Sequence, residues 1–199
     1  SLIYSSPSFI DLIAAQLDAS SGWILAKNAT GILGALPFVQ SKPSKLGAVF
    51  NSLPYYGSNG GVIQSIQNDP VKRLLIKGYI DYAQNQNACS ATLITNPLLM
   101  DHEIYESAIE GFIRDERIGQ ITHLPENPND ELIKIFDDPR PRNIRRALKE
   151  GIQVSSGNER TSVEFLYEIH LENMQAIGGL SKSWGFFERL LSEMPRDLW

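Results

Sequence analysis

The chain has one cysteine in 199 residues, Cys89, so no intrachain disulfide can form and no cysteine cluster can hold zinc. Cys89 falls in Ala88-Cys-Ser-Ala-Thr-Leu-Ile-Thr95, which reads as a buried strand, and a packed thiol fits there better than a nucleophile. Histidine is scarce too. His102, His123 and His170 show no H-x-x-x-H or H-E-x-x-H spacing. His170 lies on the apolar side of a helical pattern and reads as a hydrogen-bonded core residue. No apolar run is long enough to cross a bilayer, and no charged segment followed by an apolar one suggests a signal peptide. A cytoplasmic protein is the default expectation. There is no G-x-S-x-G elbow and no G-x-x-x-x-G-K-[ST] loop. Positive charge is in deficit: 18 Lys and Arg face 23 Asp and Glu, a net charge of -5. That excludes a general nucleic-acid coat, so any polyanion binding must be local.

What is present describes an ordinary globular chain, 42% hydrophobic and 21% charged. Ser8-Phe-Ile-Asp11 fits a capping box for an opening helix with Phe9, Ile10, Ile13, Ala14 and Leu17 on one face. Three strand-like runs follow at 23–27, 32–39 and 46–53, spaced for an antiparallel meander. Asn28-Ala-Thr-Gly31 signals the first turn, and Pro37 implies an edge or a bulge. Asn68-Asp-Pro70 starts the clearest helix, reaching about Asn85 with Val71, Leu74, Leu75, Tyr79 and Tyr82 inward. A strand over 89–95, a weakly helical 99–115 and a short strand over 119–124 come next. Asn127-Pro-Asn-Asp130 begins another helix with Leu132, Ile133 and Phe136 inward. A strand is expected over 152–155. Thr161-Ser-Val-Glu164 has capping-box spacing for a helix on Val163, Leu166, Tyr167, Leu171 and Met174. Ser183 caps a last helix carrying Trp184, Phe187, Leu190 and Leu191. These two closing helices need cover: the first domain, a second domain that they begin, or a second copy in a homodimer.

The chemistry concentrates at Pro139-Arg-Pro-Arg-Asn-Ile-Arg-Arg-Ala-Leu-Lys-Glu-Gly-Ile-Gln-Val154, where five of the 18 cations fall within ten positions. As a helix over 141–150, it carries Arg142, Arg145, Arg146 and Lys149 on one face and Ile144, Ala147 and Leu148 on the other. Gly151 closes it in a left-handed conformation. Such a stripe on an acidic protein suits an anion, most simply a phosphate. The plain alternative is a solvated helix whose arginines pair with Asp137, Asp138 or Glu150. Asn143 caps or braces a turn. The second concentration is Pro54-Tyr-Tyr-Gly-Ser-Asn-Gly-Gly61. Tyr55, Tyr56, Gly57, Ser58, Asn59, Gly60 and Gly61 would line a cleft with backbone N–H groups, an amide and aromatic faces. An ordinary glycine turn with tyrosines as core lids is the alternative.

Helix, three meandering strands, a glycine-bearing segment, then helix and strand resembles the opening order of the GNAT-type N-acetyltransferase fold. The segment Arg142-Asn-Ile-Arg-Arg-Ala-Leu-Lys-Glu-Gly-Ile-Gln-Val154 resembles the R-N-I-R-K-A-x-K-x-G-x-x-V signature of the FemAB-like family. Leu53-Pro-Tyr-Tyr-Gly-Ser-Asn-Gly-Gly61 is similar to that family's aromatic-glycine stretch. Tyr167 to Met174 and Trp184 to Leu191 are similar to the helices that begin its second lobe. The resemblance implies an α/β (α+β) fold with a mixed, largely antiparallel sheet flanked by helices. It implies an acetyltransferase-like lobe over 1–155 and the start of a truncated second lobe over 156–199.

It also implies acyl or aminoacyl transfer to an amine acceptor in bacterial peptidoglycan (cell-envelope) or exopolysaccharide assembly. The acyl donor would be an aminoacyl-tRNA or an acyl-CoA, with no tightly bound cofactor. Partners would be an anionic small molecule or nucleotide-linked precursor, and tRNA. The reaction needs positioning and oxyanion stabilisation more than a covalent nucleophile. The [QR]-x-x-G-x-[GA] signature that holds coenzyme A pyrophosphate in other acetyltransferases is absent. A non-catalytic anion-binding or dimerising module of the same fold is the other reading, and no residue stands out as a general base.

Overall fold

A computed structural model describes residues 3–52, 60–116, 122–126, 132–157 and 159–194. They form two compact units, one of residues 1–114 with 158–199 and one of 115–157.

In the larger unit the first helix, α1 (Pro7–Gln16), begins with Pro7, whose missing N–H costs nothing at that position. The cap is Ser6, whose hydroxyl accepts from Phe9 N. The box expected at Ser8 therefore lies inside the helix, because proline marks the start two residues earlier. Strands β1 (Ser20–Asn28) and β2 (Gly31–Gln40) form a hairpin. The Asn28 side chain closes its turn by accepting from Thr30 N and Gly31 N. Strand β3 (Ala48–Asn51) pairs antiparallel with β2. Helix α2 (Asp69–Asn85) crosses over, and β4 (Ala88–Thr92) lies parallel to β3. Sheet order is β1-β2-β3-β4, three antiparallel strands and one parallel. This is a mixed α/β fold with a largely antiparallel sheet, and its element order is the one anticipated above.

The pleat sends alternate residues of β2 to opposite faces. Leu36 and Phe38 meet Leu75, Ile76, Tyr79 and Ala83 of α2, with Phe50 and Tyr105 in the same cluster. Val39 meets Phe9, Ile10 and Ile13 of α1 on the other face. The closing helices α5 (Arg160–Ala176) and α6 (Trp184–Glu193) complete that second core through Val163, Phe186 and Phe187, with Met194 just after α6. They therefore pack back on α1 within one unit. Helix α3 (His102–Ala108) packs beside α2 and supplies Tyr105. The smaller unit contains a 3-10 turn (Leu132–Ile135) and helix α4 (Arg140–Lys149).

Other sequence expectations are corrected. Cys89 is exposed; among the described residues β4 pairs with β3 alone, at the edge of the sheet. Leu74 points outward, 62% exposed, and Lys72 takes an inward place in α2. The Thr161 box does not form: α5 starts at Arg160, and its first turn is held by the Arg160–Glu164 ion pair instead. Residues 152–155 form no strand and are exposed. The helix start at 127–130 and most of the strand at 119–124 lie outside the described residues; the described Thr122, His123 and Leu124 are not in a strand. His170 behaves as read: its Nε2 accepts from Lys182 N at 3.3 Å and its ring packs on Phe187.

Candidate functional site

The site residues read from sequence fall in two elements, one in each unit. The first is the return of the chain after β3. Val39 pairs with Asn51, yet Ala35 pairs with Ile63. Continuous pairing from Asn51 would set position 55 opposite Ala35, so the two pairings are out of register by eight positions. Ile94 is bonded on both sides of this shift. Ser52 Oγ accepts from Ile94 N at 3.0 Å, and Gly60 N donates to Ile94 O at 3.0 Å. Ala35 N donates to Ile63 O, and the pleat aims the nitrogen two residues on the same way, where Pro37 has no N–H to offer. Pro37 itself stands opposite Trp23 inside β2, and the register shift of β1 against β2 falls at Ala26/Lys27.

Tyr105 fixes the downstream end. Its Oη accepts from Val62 N at 2.8 Å. A Cβ on Gly61 would stand 2.3 Å from that oxygen, so only glycine fits. Burial pushes the Tyr105 phenol up to about 12; the bond from Val62 opposes this and Asp101 adds to it. Burial likewise raises Tyr79, whose hydroxyl donates to Thr92 O at 3.1 Å. Both phenols keep their protons at neutral pH and serve as pins, not bases. Behind Tyr105 lies a pair that composition gave no hint of. Lys72 Nζ is buried and donates to Asp101 Oδ2 at 2.5 Å and Gln67 Oε1 at 3.1 Å. Its only trace in sequence is that Lys72, Leu75, Ile76, Tyr79 and Ala83 share one helical stripe. Of the site residues read from sequence, Gly60 and Gly61 sit at this anchored end; Tyr55, Tyr56, Gly57, Ser58 and Asn59 lie outside the described residues.

The second element is α4. Arg142, Arg145, Arg146 and Lys149 fall within an arc of about 100°. All four are exposed, as is Asn143, and the helix buries no residue. Arg146 Nε pairs with Glu150 Oε1 at 2.8 Å. Among the described residues, Arg142, Arg145 and Lys149 have no acidic partner within ion-pair distance. Asp137 is engaged through its carbonyl, which accepts from Arg140 N at 3.1 Å. Gly151, at φ 76°, ends the helix as anticipated. Its N–H donates to Leu148 O, and Ile152 N donates to Ala147 O. Arg146 and Lys149 in the last turn complement the helix dipole.

Among the described residues no group of three His, Cys, Asp or Glu could hold a metal ion, and no helix is long and apolar enough to cross a membrane. No known protein family matches the chain, and no curated protein matches it. A solved crystal structure of a probable acetyltransferase is similar over 54% of this chain and 69% of its own, at 20% identity and a TM-score of 0.34.

Proposed function

We propose that the protein takes part in acyl or aminoacyl transfer to an amine, in the manner of FemAB-like enzymes of cell-envelope or exopolysaccharide assembly. The single observation that carries this is the cationic face of α4. Three of its four cations are free of acidic partners among the described residues, within the segment 142–154 that resembles that family. Guanidinium groups so placed bind phosphate or carboxylate through charge-assisted hydrogen bonds. The fold adds support, since three antiparallel strands, a crossover helix and a fourth strand parallel to β3 follow the same order of elements. In this reading α4 holds the anionic part of donor or acceptor.

The test is a transfer assay read by mass spectrometry, with acyl-CoA or aminoacyl-tRNA as donor and an amine-bearing peptidoglycan precursor as acceptor. A new amide product, lost when Arg142, Arg145 and Arg146 are all alanine, is the expected result. No product with either donor would defeat the reading. A dimerising module is the second reading, favoured by Phe165, Leu166 and Ile169, which α5 leaves exposed. Light scattering that shows only monomer would remove it.

A further inference from the structure

We propose that the α4 corner of the 115–157 unit docks on an anionic phospholipid surface. This rests on reading α4 as an anion site and names the anion: lipid phosphates presented on a plane. Two observations favour a surface over an isolated phosphate. The cations stand on the convex, solvated side of a helix that buries nothing. A small phosphate is held best by donors converging in a concavity, whereas a row of long cationic side chains meets a charged plane with all of them together.

The second observation is apolar. Leu148 is 68% exposed, Ile152 57% and Val154 95%. The chain turns at Gly151, where Ile152 N donates to Ala147 O, so Ile152 and Val154 follow directly on the C-terminal end of α4, and Leu148 flanks the cationic row on the side of Ile144. A nucleic acid would satisfy the cations but offers little to receive three aliphatic side chains. A bilayer interface satisfies both, with phosphates for Arg142, Arg145, Arg146 and Lys149 and acyl chains for Leu148, Ile152 and Val154. Charge also sets the orientation. The chain is acidic overall, while five of its 18 cations fall within 140–149, so attraction to an anionic membrane is concentrated there.

The test is flotation of the whole protein with phosphatidylcholine vesicles, with and without phosphatidylglycerol. Inorganic phosphate and tRNA serve as competitors. Retention on the phosphatidylglycerol vesicles alone, weakened by salt, is expected. Removing one cation by Arg145→Gln should weaken partitioning about fivefold. The pair Leu148→Ser and Val154→Ser, which leaves the charge unchanged, should weaken it about tenfold. These side chains are exposed, so circular dichroism should show each variant folded. Equal retention on neutral vesicles, no retention, or indifference to the Leu148→Ser and Val154→Ser pair would overturn the proposal. Displacement by inorganic phosphate, or binding of tRNA without vesicles, would overturn it and leave the anion-site reading standing. Failure to bind any of these anions would overturn both.

Discussion

Replacing Asp101 by alanine would leave the Lys72 ammonium buried and deprived of its charge partner. The Lys72 side chain is 3% exposed and that of Asp101 is 11% exposed. Removing one member of a buried pair costs about 3–5 kcal/mol, because the surviving charge keeps its desolvation penalty. Two features place Asp101→Ala near the lower end. Gln67 Oε1 still accepts from Nζ, and Asp101 Oδ1 is already buried without a hydrogen-bond partner among the described residues. The control is Asp18→Ala, which breaks the pair with Lys42, where both side chains are largely solvated. That should cost no more than about 1 kcal/mol. Lys72→Met with Asp101→Leu removes both charges and should cost less than Asp101→Ala alone. Urea unfolding midpoints at constant m-value measure all three. The damage should also spread. Asp101 precedes α3, whose Tyr105 holds Val62 N, so amide exchange at Val62 should accelerate in Asp101→Ala. An Asp101→Ala cost no larger than that of Asp18→Ala would refute the account of a buried, mutually dependent pair.

Gly61→Ala should destabilise by about 1–3 kcal/mol, since its Cβ meets Tyr105 Oη, and the Tyr105→Phe background should lessen the loss. Unfolding curves of the single and double variants check this. Stability should also fall as pH rises from 10 to about 12. Unfolded Tyr105 loses its proton near 10.0 and the folded residue only near 12, so the unfolded state binds fewer protons in that window and folding loses about 3 kcal/mol. Tyr79 shifts in the same direction, and alkaline denaturation followed by tyrosinate absorbance reports both. Phe187→Ala should cost about 3–5 kcal/mol, because Phe187 joins α1, α5 and α6 in one core and stacks edge-on against Tyr167 and Phe186. A calorimetric melt in which α5 and α6 separate first would contradict that shared core. Gly151→Ala should fray α4 by about 1 kcal/mol, seen as lost helix signal, because a side chain is strained at its positive φ.

Local chemistry was legible in the sequence wherever neighbours in the chain decide the outcome. Asn68 with Pro70 fixed the start of α2, and Asn28 to Gly31 fixed the first hairpin. The spacing of Arg142, Arg145, Arg146 and Lys149 fixed one helical face. Pro37 suggested an edge or a bulge, yet it pairs with Trp23 inside β2, and the register shift falls at Ala26/Lys27. Where distant residues decide, sequence misled. Lys72 turns inward because Asp101 waits there, 29 positions away. Cys89 is exposed on β4, the edge strand among the described residues, which its own composition cannot reveal. Residues 152–155 have strand composition but find no partner strand among the described residues. The Thr161 box gives way to a helix that starts two residues earlier, at Arg160 with Glu159 as cap, where Arg160 pairs with Glu164. The anchors of the candidate site, Ser52, Ile94 and Tyr105, were missed for the same reason. Their hydrogen bonds span about 40 positions, and nothing nearby marks them.

The most direct measurement is a calorimetric titration with acyl-CoA, aminoacyl-tRNA and a nucleotide-linked sugar precursor. Native protein is compared with the variant carrying Arg142→Ala, Arg145→Ala and Arg146→Ala. The account predicts that at least one ligand binds and that the triple substitution weakens it about 100-fold, from the loss of several charge-assisted hydrogen bonds. Identical affinities for the two proteins, or no binding of any of the three, would contradict it.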